Sequence, residues 1–308
     1  MSSFINSEIF NSWLSTFLSI IVESLPFILI GSIISAIIQL FLKEETIKKF
    51  LPKNKIISII LASLMGLFLP LCECAIVPIG RSLIKKGVSV GTATTFMLAV
   101  PIINPIVLLS TYYAFSNNLS IVFLRAFGGL FISILIGLIL EILTKKTQVI
   151  KNDTDYLSSC DCGCENLYMK SNFFTNLKNL IDHTSKEFLD ISRYFILGAF
   201  LAGIVSVAMG SLNIDFKNIM PSMGIIVMML LTFFLSLCSE ADAFVAKGFL
   251  SSFGNSGVIA FLILGPMLDL KNVILLLGAF KKKYVFSLMF LTCSIVVLFS
   301  YLVLFFGL

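Results

Sequence analysis

Gly66-Leu-Phe-Leu-Pro70-Leu-Cys72-Glu73-Cys74-Ala-Ile-Val-Pro78-Ile-Gly80-Arg81 sets one carboxylate and two thiols between two prolines inside an otherwise apolar stretch. An ionisable side chain in hydrocarbon costs several kcal/mol by most estimates, so it faces a protein interior or a water-filled path and marks function. The bland alternative is a polar kink that fits two packed helices together. The composition around it says what kind of chain this is. Of 308 residues, 58% are hydrophobic and 13% charged, and the mean hydropathy is +1.02. Soluble domains are roughly 45–50% apolar and 25% charged. The chain therefore reads as a polytopic, all-α integral membrane protein.

A membrane-spanning helix needs about 20 mostly apolar residues. Apolar runs fall at 12–42, 56–80, 91–114, 121–143, 188–209, 222–246, 258–280 and 284–306, which gives eight expected segments. The first is preceded by Glu8 rather than basic residues and is too long for the core of a cleavable signal peptide, so it reads as a retained helix. The polar stretch 144–187 divides the chain into a membrane unit over 1–143 and another over 188–308. The net charge of +5 comes from loop lysines, and no basic and aromatic stripe points to nucleic acid.

The two units resemble each other. Glu23-Ser-Leu-Pro-Phe-Ile-Leu-Ile-Gly31 matches Asp190-Ile-Ser-Arg-Tyr-Phe-Ile-Leu-Gly198, Leu71-Cys72-Glu73 matches Leu237-Cys238-Ser239-Glu240, and Val100-Pro101-Ile-Ile-Asn104 matches Gly265-Pro266-Met-Leu-Asp269. The offsets are 167, 166 and 165, in the same order along the chain. Weak internal symmetry of this kind is common in transporters.

Cytoplasmic loops carry the excess of Lys and Arg. If all eight segments cross, the lysines of 43–55 and the Arg81, Lys85 and Lys86 loop fall on opposite sides, and the rule fails in either orientation. A re-entrant second segment, turning at Pro70–Cys74, removes the conflict. The halves are then inverted, and 17 of the 22 basic residues lie in the cytoplasm. Eight full spans with parallel halves fit the hydropathy equally well.

Irregular backbone at membrane depth is tolerated where it lines a cavity or is buried in protein. Proline removes a helix hydrogen bond and disfavours a helical residue before it, so Pro101 and Pro266 should interrupt the helices that follow each turn. The expected result is a central cavity lined by Cys72, Glu73, Cys74, Asn104, Cys238, Glu240, Asp242 and Asp269. Thiolates select soft cations such as trivalent arsenic, Cu(I) or zinc, whereas Glu73 or Glu240 could carry protons for coupling. A free cysteine also behaves as a small buried hydrophobe; Cys293 reads that way. Asp269 and Lys271 read as a buried pair or as the flanks of a water-filled opening, and Arg81, Arg125, Arg193 and Lys247 as gating or anchoring residues.

The linker carries Ser159-Cys160-Asp161-Cys162-Gly163-Cys164-Glu165. Three thiols at alternate positions with flanking acids form a soft-metal chelate on paper, with Cys160, Cys162 and Cys164 as ligands; the alternative is a solvated loop that carries thiols. The single histidine, His183, excludes a histidine-rich zinc site and reads as a surface residue. No cofactor is called for. No glycine-rich phosphate loop ending in Lys-Ser/Thr is present, so energy must come from an ion gradient or a separate partner.

Pro70-Leu-Cys-Glu-Cys-Ala-Ile-Val-Pro78, followed by Gly87-Val-Ser-Val-Gly-Thr-Ala-Thr-Thr-Phe-Met-Leu-Ala-Val-Pro-Ile-Ile-Asn-Pro105, resembles the ArsP-type permeases, also grouped as YraQ-type predicted permeases. The resemblance extends over nearly the whole chain, including Cys238-Ser-Glu-Ala-Asp-Ala-Phe-Val-Ala246. It implies a multi-pass permease of the inner (plasma) membrane, with characterised members exporting trivalent organoarsenicals and some relatives working beside a second membrane subunit. The leading expectation is a secondary permease, not an enzyme, for a small soft solute. Two rivals are a membrane-embedded soft-metal or thiol-redox handler acting with a partner, and a passive channel.

Overall fold

The computed structural model describes residues 2–41, 54–69, 71–115, 119–144, 149–150, 173–211 and 221–307. Pro70 and the linker residues Cys160, Cys162 and Cys164 lie outside the described residues. Twelve α-helices make up the described chain: α1 Ser2–Phe41, α2 Lys55–Leu64, α3 Glu73–Lys85, α4 Val90–Ile103, α5 Pro105–Ala114, α6 Leu119–Leu143, α7 Phe173–Ser211, α8 Pro221–Leu235, α9 Asp242–Gly248, α10 Leu250–Met267, α11 Leu270–Ala279 and α12 Lys282–Phe306. Since α7 begins at Phe173, the last part of the expected linker 144–187 is helical.

Local chemistry fixes the breaks. Asn54 caps α2 by accepting the Ile56 N–H at 3.1 Å, and Ser89 caps α4 by accepting from Thr92. Asn104 closes α4 and opens α5, accepting the Ile106 N–H at 3.0 Å with Pro105 in the first helical position. Asp269 does the same between α10 and α11, accepting the Asn272 N–H at 2.6 Å. A cap oxygen satisfies one of the backbone donors that a helix start leaves open. Without it, a break inside a membrane would strand those donors in hydrocarbon.

Every residue of α4 is buried, as is 258–268 in and beyond α10. Helices apolar on all sides belong in the interior, and these two form the centre, while α6 and α12 leave rows of Phe and Leu exposed, including Phe123, Phe127, Phe290 and Leu298. The long α1 and α7 pack on each other through Trp13, Phe17 and Phe200, with Trp13 edge-on to Phe200 at 5.2 Å between centroids.

Side-chain contacts show which way each segment runs. Ser58 near the start of α2 meets Thr92 near the start of α4 at 3.3 Å, and Gly66, just past α2, abuts Val100 late in α4. Thus α2 runs alongside α4 in the same direction. The chain turns over 68–72, and α3 returns to where α4 begins. Helices α2 and α3 therefore form a helical hairpin, with Lys55 and the Lys85–Lys86 turn at one end. Glu141 at the end of α6 joins that end, paired with Lys55 at 2.8 Å and accepting the Gly91 N–H at 2.9 Å.

Helices α8–α12 make contacts like those of α2–α6. Gly224 abuts Phe253, and Thr232 abuts Gly265, so α8 runs alongside α10 while α9 returns to its start. Tyr301 late in α12 donates to the Ser222 carbonyl at 3.1 Å, as Glu141 late in α6 meets Lys55. The direction is opposite. Tyr284 at the start of α12 hydrogen-bonds Thr94 early in α4 at 2.7 Å, so the start of α12 lies near the Lys55 end and its finish lies far from it. Val149, just beyond α6, accepts the Lys281 N–H at 2.9 Å at the same end.

Five helical stretches among the described residues are long and apolar enough to cross a membrane: Phe10–Ile38, Val90–Ala114, Leu119–Leu143, Ser252–Ala279 and Lys282–Phe306. Two of them, Val90–Ala114 and Ser252–Ala279, contain the capped breaks at Asn104 and Asp269. Of the eight segments expected, 56–80 and 222–246 are divided into shorter helices, and 188–209 is the latter part of α7.

Candidate functional site

The breaks at 68–72, 236–241 and 268–269 converge on one buried centre. Glu73 begins α3, and its Oε1 lies 3.1 Å from Lys271 Nζ, with side-chain exposures of 1% and 3%. Asp269 Oδ2 lies 3.5 Å from the same ammonium. Lys271 also donates to the Ser236 carbonyl at 3.1 Å and approaches the Leu237 carbonyl at 3.5 Å. Ser236 has φ 48°, in the left-handed region that a residue with a Cβ rarely adopts. That turn aims its carbonyl at Lys271 while its hydroxyl accepts the Leu270 N–H at 3.2 Å. The strained residue thus ties the α8–α9 break to the start of α11.

Thiols surround this pair. Cys72 and Cys74 are buried on either side of Glu73, and the Cys74 thiol lies within hydrogen-bonding reach of Cys72. Cys238 lies within electrostatic range of Glu73, Lys271, Glu23 and Glu240, and its Sγ is 4.0 Å from Glu240 Oε2. Glu23 reaches the same place from α1: one oxygen of Glu23, the Cys238 Sγ and one oxygen of Glu240 lie within 4.8 Å of one another. Glu73 and Asp269 therefore face the Lys271 ammonium, and Glu23 and Glu240 face the Cys238 thiol beside it.

Asp242 belongs to a second centre. Its two carboxylate oxygens accept from Arg125, Oδ1 from one guanidinium nitrogen at 3.0 Å and Oδ2 from the other at 2.7 Å. The same guanidinium donates to Thr111 Oγ1 at 2.7 Å and to the Ser239 carbonyl at 3.2 Å. The planar fork of arginine suits this bidentate geometry, which lysine could not reproduce. Arg125 is the largest fully buried side chain described.

Both pairs have the same logic. An acid on one broken segment is held by a base on the oppositely running set of helices: Glu73 of α3 by Lys271 of α11, and Asp242 of α9 by Arg125 of α6. Each acid, and Asp269, also sits at a helix N-terminus, where the helix dipole favours negative charge.

Two close helix contacts fix the first centre. A Cβ on Gly31 would fall 2.7 Å from the Ala75 carbonyl oxygen and 2.8 Å from its Cα, so α1 lies directly on the first turn of α3. A Cβ on Gly198 would fall 3.0 Å from Lys271 Cα, so α7 lies directly on the first turn of α11. The two matched glycines thus hold the two members of the Glu73–Lys271 pair.

A profile of a family described as predicted permease, of ArsP type, matches residues 9–305. The chain belongs to that family. The UPF0718 protein YcgR of Bacillus subtilis (strain 168) is 42% identical over 277 residues, covering 89% of this chain and 90% of that protein. A protein of Streptococcus mutans named as a putative two-component membrane permease complex subunit is 39% identical over 290 residues, covering 94% of each. No solved structure matches. Membership and the apolar helices make this predicted permease a multi-pass membrane protein, consistent with a plasma-membrane location.

Of the residues expected to line a cavity, Cys72, Glu73, Cys74, Cys238 and Asp269 gather around Lys271, and Glu240 lies beside Cys238. Asp242 is drawn to Arg125, and Asn104 caps α5. Glu73 and Asp242 each have a buried base as partner. Asp269, read as a partner of Lys271, lies 3.5 Å from it, whereas nothing local names Glu73 as the second partner of Lys271 or Asp242 as that of Arg125. Glu23, which stood out in the sequence only as the start of a repeated motif, is part of the thiol–carboxylate cluster. Cys293 is half-buried in α12 and packs against the core.

Proposed function

We propose that this predicted permease is a secondary transporter that moves a small soft solute outward through the Glu73–Lys271 centre, trivalent organoarsenicals being the first class to try. The observation that carries the reading is the pair of buried ion pairs joining oppositely running helix sets at their breaks. Such pairs are attractive in a dry interior only while the geometry holds, so rocking one set against the other would exchange partners and solvent access together. Glu73 would take up a proton when Lys271 turns to Asp269, which already lies 3.5 Å away.

The same reading treats α1–α6 and α7–α12 as copies of one inverted repeat, over 1–143 and 188–308, joined by a cytoplasmic linker. Its support is positional. The Gly66–Val100 contact and the Thr232–Gly265 contact fall at offsets of 166 and 165, those of the matched motifs. Broken helices meeting at a repeat interface are where secondary transporters bind substrate. Cys72, Cys74 and Cys238 would supply the soft ligands, and Cys160, Cys162 and Cys164 a capture site before entry.

The test is uptake into everted vesicles with trivalent methylated arsenicals, soft metal ions and sulfur oxyanions. Uptake that collapses with a protonophore and with Glu73→Gln, while the variant inserts normally, supports the reading. Normal flux by Glu73→Gln removes that acid from the mechanism. A second reading has the chain working as one subunit of a soft-metal or thiol-redox handler; the Streptococcus mutans relative's name favours a partner. Deleting 160–164 discriminates, because a permease keeps at least part of its flux.

A further inference from the structure

We propose that Glu23, Cys238 and Glu240 form a binding site for a soft divalent cation of the zinc and cadmium class at the mouth of the Glu73–Lys271 centre. The inference deepens the permease reading by naming a solute class for its site. Three ligand atoms, one per residue, lie within 4.8 Å of one another, and the Cys238 Sγ to Glu240 Oε2 distance is 4.0 Å. A tetrahedral ion with bonds of about 2.0–2.3 Å holds neighbouring ligands roughly 3.5 Å apart. Closure on an ion therefore needs side-chain shifts on the order of 1 Å. One thiolate with two carboxylates is a mixed set that suits zinc-like ions over magnesium or calcium, and three protein ligands leave a fourth position open for water or exchange.

A second observation points to a positive guest. Glu73 is 1% exposed, and neither of its carboxylate oxygens accepts a hydrogen bond from any described residue; its contact with Lys271 is an ion pair only. Glu73 lies within electrostatic range of the Cys238 thiol. It acts on Glu240 as well. An under-satisfied buried carboxylate thus bears directly on the cluster. With the carboxylates of Glu23, Glu240 and Glu73 about Cys238, the surroundings attract cations and repel oxyanions.

The ligands come from two parts of the molecule. Glu23 is on α1, and Cys238 and Glu240 are on the α8–α9 break, so an ion would tie α1 to that break. Glu23 is the exposed member of the three. On ligation the Cys238 thiol loses its proton to water as the sulfur–metal bond forms, and the two carboxylates bind as anions.

Cadmium chloride titration of the full-length protein in lipid nanodiscs tests this, with the linker thiols removed by Cys160→Ser, Cys162→Ser and Cys164→Ser. The expected result is one cadmium per chain and an ultraviolet sulfur-to-cadmium charge-transfer band with the intensity of one thiolate. Cys238→Ser should abolish the band. Glu23→Gln, at an exposed position that does not threaten folding, and Glu240→Gln should each weaken binding about tenfold or more. The proposal is overturned by absence of saturable binding, by a band that survives Cys238→Ser, or by a band lost only with Cys72→Ser or Cys74→Ser. The outcome is separable from transport: cadmium bound at this site by a chain that moves no solute would refute the permease and leave the site standing.

Discussion

Asp242→Ala removes both carboxylate acceptors of a guanidinium that has no exposed surface. Arg125 would keep Thr111 Oγ1 at 2.7 Å and the Ser239 carbonyl at 3.2 Å, but would lose its only described counter-charge. Removing one partner of a buried pair costs about 3–5 kcal/mol, because an uncompensated charge stays behind. At about 1.4 kcal/mol per factor of ten, the folded-to-unfolded ratio should fall on the order of a hundredfold to a few thousandfold. Arg125→Met combined with Asp242→Leu should recover most of this, since replacing a whole buried pair by apolar residues of similar volume is often neutral or better. Unfolding of purified protein in mixed micelles, titrated with denaturing detergent, measures all three variants against the unmodified chain. A loss below about 1 kcal/mol for Asp242→Ala, or a double variant no more stable than the worse single one, would refute the assignment of this pair as a buried tie between the two helix sets.

Three further outcomes are expected. In a background lacking other cysteines, Lys86→Cys and Lys247→Cys should label from opposite sides of the membrane; labelling from the same side would sink the inverted arrangement. Gly31→Val should misplace α3, because its added atoms meet Ala75 backbone rather than a flexible side chain, and so should lower both stability and flux; wild-type behaviour on a melting curve and in vesicles would contradict that contact. Lys271→Met should damage transport more than Lys271→Arg, which keeps the charge facing Glu73 and Asp269, and equal loss in both would assign Lys271 a packing role.

How much was legible in advance differs from residue to residue. The re-entrant course of 56–80 was expected from the lysines and arginines flanking it, and Ser58–Thr92 and Gly66–Val100 show the helical hairpin that such a course requires. The breaks at Asn104 and Asp269 were legible because a proline three residues earlier and a capping side chain act on the nearest turn of backbone. The fate of the acids was not. Glu73 and Glu240 looked alike, yet Glu73 is paired and deeply buried whereas Glu240 is half-buried beside Cys238 and Glu23. Asp242 looked like a cavity residue and instead takes Arg125, 117 positions away.

The sequence by itself determined that the chain is helical and lives in a membrane, where its helices stop, and which charges lie in apolar runs. Those properties rest on hydropathy, proline geometry and caps, which act within a turn or two. Only the tertiary structure decided that Glu73 meets Lys271, that Asp242 meets Arg125, and that Glu23 joins Cys238 and Glu240. Electrostatic pairing depends on distance in space, and the distance is set by how two oppositely running helix sets close on each other.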